Sequence, residues 1–469
     1  ARDKGLYILY RAYAQVNKNR QPMNQNPLVA KALAAATDTA ALEIGVDILD
    51  RVPAMFCEQF PAARALVVAD ENTWRVAGKA VYEYFQQAGV ECDEPYIFTD
   101  KDLHAEWHFI EMLDAKLSST DAIAVAVGSG TINDLCKLSS HHCSRPYMCV
   151  ATAASVDGYS SFGASITYKS MKQTFTCPAP RAILADVGVM ARAPREMTAA
   201  GYADLAAKIP AGAEWIIADF VGSEPIHADA WHISQDNLKA SLADPEGVAA
   251  LKAEAIAPFV EGLMLSGFAM QAARSSRPAS CTDHLFSHLW NMRDHKHNGV
   301  TPSHGFQVSV GTLMMCAMFD QMYKTDFTTL DVDACVKAWP TAEEIRSNAE
   351  QLFAGEAFAE MGITEMMAKY DDATEVRRQL QLLKENWPDL KARLQEQCYT
   401  YAEMFRMLSI VGAPTKPEDV GITKEQMRAD VPYVRHIRRR YNMMDLGLRA
   451  RTLDKWVEGV FGQGGIWQI

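Results

Sequence analysis

The amino-acid sequence predicts an α/β region built on a parallel sheet, followed by a larger all-α region. Between residue 41 and about residue 191, short apolar segments alternate with amphipathic helical stretches. Strands that are apolar throughout, without polar alternation, are typical of a parallel sheet covered by helices on both faces. From residue 192 to residue 469 the strand signals stop and helical periodicity continues. Residues 1–40 carry no recognisable motif and are predicted to be an N-terminal arm.

Five segments of the α/β region have the length and composition of buried strands. They are residues 65–69, 96–98, 122–127, 148–151 and 182–185. A helical stretch follows the first strand, over residues 74–88. An amphipathic charged helix of the second region is predicted over residues 371–397.

Composition and charge exclude several classes of protein. The chain has 469 residues and a net charge of −12, which disfavours nucleic acid as a partner. No apolar run approaches the length of about 18 residues that a membrane-spanning helix needs. The ten cysteines form no CxxC pair, which is typical of reduced thiols in a cytoplasmic protein.

Two loops at strand ends have the composition of a dinucleotide site. Gly128, Ser129 and Gly130 directly follow an apolar strand and open a helix, so the backbone there can approach a pyrophosphate. A tight strand-to-helix turn is the alternative explanation. Residues 151–161 follow another strand and combine small hydroxyl side chains with an Asp and a Gly. Together the two loops predict a Rossmann-like nucleotide site.

Asp70 stands at the end of a third strand. A carboxylate at such a position can accept both ribose hydroxyls and repel a 2′-phosphate, which would favour NAD over NADP. The alternative is that Asp70 caps the helix that follows. The sequence leaves both interpretations open.

Three fragments of the helical region carry side chains that bind divalent metals. Asp204 and Lys208 are four residues apart and share one helical face, where a plain salt bridge is the alternative. His284 and His288 also share a face, as two ligands or as a ligand and a substrate contact would. His304 lies just ahead of a further helix. One carboxylate and two imidazoles suit zinc, and three protein ligands leave a coordination position for a substrate oxygen.

Six ordered motifs extend over both regions. They are GSGTIND (128–134), TAASVDG (152–158), GYADLAAK (201–208), DHLFSH (283–288), HGFQV (304–308) and RYNMMDL (440–446). In these motifs the chain resembles the glycerol-1-phosphate dehydrogenases, which are grouped with the iron-containing alcohol dehydrogenases and dehydroquinate synthases. The resemblance implies a dehydroquinate synthase-like fold, with an NAD-binding domain over 41–191 and a metal- and substrate-binding all-α domain over 192–469.

The resemblance also implies roles for individual residues. Asp204, His284 and His304 would be the metal ligands and, with Asp157, the catalytic residues. Asp157 would hydrogen-bond the substrate hydroxyls. By the same likeness, Gly128, Gly130, Thr152, Ser155 and Ser161 would line the NAD pocket, and the predicted cofactor-binding residues also include Asp70, Ser129 and Asp134. By their nearness in the sequence, Lys208 and His288 are predicted as substrate-binding residues that contact the phosphate, with Lys137 and Arg293 as further candidates. For Lys137 and Lys208, a salt bridge on a helix face is an equal alternative. The family often has Gly at position 129 and Glu at position 283, where this chain has Ser129 and Asp283.

The activity implied by the resemblance is the NAD(P)-linked interconversion of sn-glycerol 1-phosphate and dihydroxyacetone phosphate. It implies one divalent metal, with zinc favoured and nickel and iron also accepting these donors, in a cytoplasmic homodimer. The alternatives are a dehydrogenase of another polyol or polyol phosphate, a dehydroquinate synthase-like cyclase, and a non-catalytic protein that senses NAD or metal. Asp rather than Glu at position 204 argues against the cyclase.

Overall fold

The computed structural model describes residues 26–169 and 171–469. Residues 1–25, which are most of the predicted N-terminal arm, lie outside the described residues, as does residue 170. The described chain forms two compact units. One unit comprises residues 26–205 and 229–275, and the other comprises 206–228 and 276–469. The predicted domain boundary at 191/192 remains a prediction.

Eight strands are found in the described residues, all of them before residue 187. They are β1 (Ala41–Gly45), β2 (Ala65–Asp70), β3 (Tyr96–Phe98), β4 (Ile123–Gly128), β5 (Met148–Ala151), β6 (Ala164–Tyr168), β7 (Met171–Phe175) and β8 (Ala182–Asp186). Six of the strands form one sheet in the order β1-β8-β5-β4-β2-β3, and every pairing in it is parallel. The predicted parallel sheet is confirmed.

The sheet is parallel because its central strands are apolar on both faces. All residues of β4, β5 and β8 are buried, as are the first five of β2. The apolar side chains on one face pack with the surrounding helices into a core that includes Phe56, Phe85 and Val125. Helices must therefore cover both faces, and helices connect each strand to the next from β1 to β5.

Two features of the first unit were missed by the sequence analysis. The edge strand β1 is half-buried and short, so its apolar signal is weak. Strands β6 and β7 form a separate antiparallel hairpin between β5 and β8. In β6, Ile166 alternates with Ser165 and Thr167, and this alternation of period two was the available signal.

The helices surround the sheet in the first unit and make up the second. In chain order, they are α1 (Pro27–Ala35), α2 (Val52–Gln59), α3 (Glu71–Thr73), α4 (Lys79–Gln87), α5 (Trp107–Ser118), α6 (Gly130–His142), α7 (Val187–Met190), α8 (Arg195–Ala206), α9 (Lys208–Phe220), α10 (Ala228–Gln235), α11 (Leu238–Ser241), α12 (Pro245–Ala249), α13 (Ala253–Ala273), α14 (Thr282–Met292), α15 (His304–Met322), α16 (Val332–Lys337), α17 (Ala342–Leu352), α18 (Ala359–Ala368), α19 (Ala373–Gln397), α20 (Tyr401–Val411), α21 (Lys424–Val434), α22 (Met443–Arg449) and α23 (Leu453–Phe461). A π-helical turn, Trp74–Gly78, joins α3 to α4.

Within the described residues, α13 is the one helix long and apolar enough to cross a membrane by length and composition. It is enclosed in the first unit, where α1 packs against it. Inside the protein, 83% of its most apolar window is buried. Such burial is that of a core helix, which passes the same test of length and composition as a membrane span.

Candidate functional site

The carboxyl ends of β2 and β4 form the topological switch point of the sheet. From β2 the chain moves outward to β3 at the sheet edge, and it returns to β4 on the other side of β2. In open parallel sheets, ligands bind outside the carboxyl ends of the strands at such a point. Asp70 is the last residue of β2 and Gly128 the last of β4, so both lie at this position.

The turn from β4 into α6 requires glycine. A Cβ atom added at Gly128 would lie 2.5 Å from Cβ of Ile132, which is the first buried side chain of α6. Helix α6 begins at Gly130, and the Ser129 side chain at its N-cap makes no capping hydrogen bond. The N–H groups of a first helical turn that no side chain caps are suited to bind the phosphate groups of a nucleotide.

Asp70 is the N-cap of α3. Its Oδ1 accepts hydrogen bonds from the backbone N–H groups of Asn72 (2.8 Å) and Thr73 (2.9 Å). The Thr73 hydroxyl oxygen in turn accepts the backbone N–H of Asp70 at 3.0 Å and completes a capping box. The capping role left open by the sequence is therefore present. A contact with the ribose remains a prediction.

The loop after β5 lies directly beside the glycine turn. The backbone N–H of Thr152 donates to the Gly128 carbonyl at 3.1 Å. The side chains of Thr152, Ser155 and Ser161 are buried, and Ser161 Oγ donates to the Gly158 carbonyl at 3.1 Å. The structure thus brings the two predicted nucleotide-binding loops together at neighbouring strand ends.

Lys137 of α6 connects this helix to the loop after β5. Its ammonium group donates to the carbonyls of Gly158 (2.9 Å), Ser161 (2.9 Å) and Gly163 (3.1 Å), and the side chain is 0% exposed. These three bonds use all three ammonium hydrogens. Lys137 is therefore an internal support for the loop. The suggestion from the sequence that it binds the substrate phosphate is not supported, because sequence spacing does not show where an ammonium group finds its partners.

Asp134 lies one turn before Lys137 on α6. Its Oδ2 accepts the backbone N–H of Ser165 at 3.3 Å, and its Oδ1 lies 3.8 Å from the Lys137 ammonium. Burial raises the pKa of Asp134, and the charge of Lys137 opposes that rise. These contacts connect Asp134 to the start of β6, and its predicted role in cofactor binding remains a prediction.

Replacing Lys137 by Met is expected to lower the free energy of unfolding by about 3 kcal/mol, because it leaves three carbonyls without their buried donor. Urea denaturation measures this change. Lys79→Met is the matched control, since the Lys79 side chain is 68% exposed and its ion pair with Glu83 spans 3.8 Å. The control should shift the free energy by less than about 0.5 kcal/mol. Equal stability of the two variants would contradict the supporting role.

Asp157 lies in the same loop and contacts two helices of the first unit. Its Oδ2 accepts a hydrogen bond from Ser266 Oγ of α13 at 2.8 Å. Its backbone N–H donates to Oδ2 of Asp204, on α8, at 3.1 Å. Ser266 was not predicted, because nothing in the sequence shows that α13 passes this loop. The predicted substrate-binding carboxylate is thus joined through its backbone to a predicted metal ligand.

His284 lies on the first turn of α14, beside Asp283. Both side chains are buried, and Oδ2 of Asp283 lies 2.6 Å from Nδ1 of His284. With the carboxylate at Nδ1, Nε2 is the ring nitrogen left to face a metal. Metal ligands of this type are commonly oriented in the same way.

His304 begins α15, where Ser303 caps the helix by accepting the N–H of Phe306. Its ring centroid lies 5.1 Å from that of His284 and 6.4 Å from that of His288. Nδ1 of His304 lies 3.2 Å from Ser287 Oγ. The closely packed pair α14 and α15 therefore brings all three predicted histidines together.

A buried carboxylate anchors the start of α14. Glu214 of α9 accepts the backbone N–H (2.9 Å) and the hydroxyl (2.8 Å) of Thr282, and also the N–H of Met443 (3.1 Å). Burial raises the pKa of Glu214, and hydrogen bonds from Cys281 and Thr282 oppose the rise. Glu214 thereby links the helix of His284 to α22, the helix of the last sequence motif.

Asp204, His284 and His304 could together hold a metal ion. Each offers one ligand atom, and these atoms all lie within 4.8 Å of one another. Among the described residues, this is the one group of three or more His, Cys, Asp or Glu side chains with such spacing. A carboxylate with two imidazoles is a donor set that divalent transition metals accept.

Lys208 and Arg293 are two further residues that the sequence suggested as phosphate contacts. Lys208 is 0% exposed at the start of α9. Arg293 donates to Glu356 at 2.5 Å and to Asp430 at 2.7 Å, and it lies over the ring of Tyr433 at 4.4 Å. The Arg293 guanidinium is thus committed to a structural ion-pair network. These ion pairs argue against the suggested phosphate contact of Arg293, and Lys208 and His288 remain the predicted substrate contacts.

Comparison with known proteins identifies relatives of this chain. Residues 43–194 match the family model for iron-containing alcohol dehydrogenases. The chain is 32% identical over 286 residues to the glycerol-1-phosphate dehydrogenase (NAD(P)+) of Pyrococcus horikoshii. The aligned residues cover 61% of this chain and 79% of that protein. It is 28% identical over 313 residues to the enzyme of the same name from Halalkalibacterium halodurans, covering 66% of this chain and 77% of the relative.

Solved structures share the fold at lower sequence identity. A probable glycerol dehydrogenase from Sinorhizobium meliloti superposes with a TM-score of 0.55 at 16% identity, covering 91% of this chain and 99% of that one. At this identity the likeness shows the fold alone. It confirms the predicted fold class, an α/β domain followed by helices.

Proposed function

We propose that this chain, which belongs to the glycerol-1-phosphate dehydrogenase family, is the metal-dependent, NAD(P)-linked dehydrogenase that interconverts sn-glycerol 1-phosphate and dihydroxyacetone phosphate. The observation that carries the proposal is the grouping of Asp204, His284 and His304 within 4.8 Å. One of these, Asp204, is hydrogen-bonded to the backbone of Asp157, the predicted substrate-binding residue.

The donor set supports a divalent transition metal, with zinc favoured and nickel and iron accepted by the same ligands. When bound, such a cation supplies Lewis acidity that stabilises negative charge on a substrate oxygen. The protein's own contribution is to hold the ligands in place. Asp204 is 1% exposed and accepts the N–H of Asp157, while Asp283 and Ser287 contact the two histidines.

The switch point of the sheet supports a dinucleotide cofactor. The N-terminus of α6, which Ser129 leaves uncapped, would bind the pyrophosphate. Thr152, Ser155 and Ser161 would contact the nucleotide from the adjoining loop. Asp70 would favour NAD over NADP, because its charge repels a 2′-phosphate. In the cap only Oδ1 of Asp70 accepts hydrogen bonds, so the capping role does not compete with a ribose contact through Oδ2.

Asp157 is proposed to bind the substrate hydroxyls. Ser266 donates to its Oδ2 and so orients the carboxylate. Lys208 and His288 are proposed as contacts for the substrate phosphate, because each stands four residues after a proposed metal ligand, Asp204 and His284 respectively. A cationic side chain held near the metal ligands, such as that of Lys208, would favour binding of phosphorylated polyols over free polyols.

A cytoplasmic homodimer remains part of the proposal. Ten free cysteines, seven of them buried, suit a reducing compartment. The dimer follows from the family likeness, and the acidic net charge of −12 argues against a nucleic-acid partner.

The decisive experiment is an NADH-oxidation assay on protein of measured metal content, with dihydroxyacetone phosphate, dihydroxyacetone and other ketose phosphates compared in parallel. We expect metal-dependent turnover, with kcat/KM highest for dihydroxyacetone phosphate. A higher kcat/KM for dihydroxyacetone than for dihydroxyacetone phosphate would contradict the proposal that the substrate is phosphorylated. Metal-independent turnover, or NAD bound with no turnover on any substrate, would overturn the proposed function.

A further inference from the structure

We propose that Asp283 is a positioning residue, which fixes the His284 ring in the one tautomer and orientation that presents Nε2 to the metal before any metal arrives. This inference rests on the proposed function, since it assigns Asp283 a task toward the proposed metal ligand His284. Asp283 itself is assigned no contact with the metal or the substrate.

The Asp283 carboxylate is fully committed by its two hydrogen bonds. Its Oδ1 accepts the backbone N–H of Cys281 at 3.0 Å, and its Oδ2 accepts from His284 Nδ1 at 2.6 Å. The residue is 0% exposed, so water does not compete for either oxygen. With each oxygen held by a different donor, the carboxylate cannot rotate without losing one of the two bonds.

The surroundings hold Asp283 itself in place. It stands in the first turn of α14, where the helix dipole stabilises a negative charge. Its neighbour Thr282 is bonded twice to Glu214. On the other side, α15 passes so closely at Gly311 that an added Cβ there would lie 2.2 Å from the Asp283 carbonyl oxygen. The carboxylate that orients His284 is thus attached to a well-anchored backbone.

The two proposed histidine ligands differ in this respect. His304 is contacted at Nδ1 by the Ser287 hydroxyl, at 3.2 Å. A hydroxyl can donate or accept, so this contact is compatible with either tautomer of His304. A carboxylate accepts only, so Asp283 permits one tautomer of His284. The Asp283 contact therefore restricts the tautomer of His284, whereas the Ser287 contact by itself does not restrict that of His304.

Asp283→Asn tests the inference with almost no change in shape. An amide has a single acceptor oxygen, so one of the two N–H groups, from Cys281 or from His284, would face an NH2 group. We expect the Kd for zinc to rise by about 10- to 100-fold, the range typical for loss of such a partner.

Asp445→Asn is the matched control. Asp445 is also a buried carboxylate near the N-terminus of a helix in the same unit, and it pairs with Lys369 at 2.8 Å. The control should leave the Kd for zinc within about threefold.

The experiment titrates zinc, and cobalt(II) for its absorption spectrum, into metal-stripped wild-type, Asp283→Asn and Asp445→Asn proteins. A zinc Kd for Asp283→Asn equal to that of wild type would overturn the inference, as would an equal loss in the control. If wild-type protein itself binds no stoichiometric zinc, cobalt, nickel or iron, the proposed function fails.

A second measurement does not depend on the Asp283 variant and reads the tautomer in the wild-type protein. Long-range 1H–15N NMR of the metal-stripped wild-type protein, with the His284 signals assigned by their loss in His284→Gln, reports which ring nitrogen carries hydrogen. We expect a single tautomer protonated at Nδ1. Protonation at Nε2, or a mixture of tautomers, would overturn the inference whatever the metal titration gives.

Discussion

Replacing Asp204 or His304 by alanine is expected to abolish metal binding and turnover together, while the protein stays folded. Each change removes one of three proposed ligands, and two remaining ligands hold a divalent ion weakly. Loss of the Lewis acid should lower kcat/KM by about 10³-fold or more, equivalent to about 4 kcal/mol of transition-state stabilisation. Elemental analysis and the NADH-oxidation assay on the same preparations measure the two effects.

His232→Ala is the control for this pair. His232 lies on α10, its side chain is 56% exposed, and its contact is with Asp236. The control should retain wild-type metal content and turnover. A variant of Asp204 or His304 that kept stoichiometric metal, or lost metal but kept turnover, would show that the ligand set is wrong.

Gly311→Ala is expected to raise the Kd for the metal by about 100-fold, although residue 311 lies two helical turns from His304. An added Cβ would lie 2.2 Å from the Asp283 carbonyl oxygen, 3.0 Å from its carbonyl carbon and 3.1 Å from its Cα. Carbon–oxygen contacts need about 3.3 Å, so α14 and α15 must separate by about 1 Å. Metal–ligand distances tolerate about 0.2 Å, and the two helices carry His284 and His304.

The same overpacking should cost about 1–3 kcal/mol of stability, so the effect on the metal must be separated from general destabilisation. Gly362→Ala offers that separation. It lies on α18, where an added Cβ would meet the Phe353 ring at 2.6 Å. Zinc titration and urea denaturation of both variants are the measurements. Equal loss of zinc affinity in the two would contradict a specific role of Gly311 in ligand spacing.

These two predictions test different properties of the site. The alanine variants at Asp204 and His304 ask which atoms hold the metal. The Gly311 variant asks whether the distance between two helices sets the ligand geometry. A result that upholds the first and contradicts the second would mean that the histidine side chains can adjust to a displaced backbone.

The amino-acid sequence alone was sufficient to predict the fold class and to identify the candidate residues. Strands such as β4 are apolar on both faces, and only a parallel sheet covered by helices buries both faces. The candidate residues are chemically distinctive: a glycine turn at Gly128, a carboxylate at Asp204 and imidazoles at His284 and His304. Local patterns report local properties, so these features were predictable without the structure.

The partner that each side chain meets could be known only from the folded structure. Lys137 and Arg293 have the charge expected of phosphate ligands, yet Lys137 holds three loop carbonyls and Arg293 pairs with Glu356 and Asp430. Conversely, Ser266 contacts Asp157 from 109 residues away in the sequence. Hydrogen bonds and ion pairs act over a few ångströms, and the chain brings such groups together by packing of distant elements. Charge and spacing along the sequence therefore could not distinguish a structural cation from a ligand-binding one.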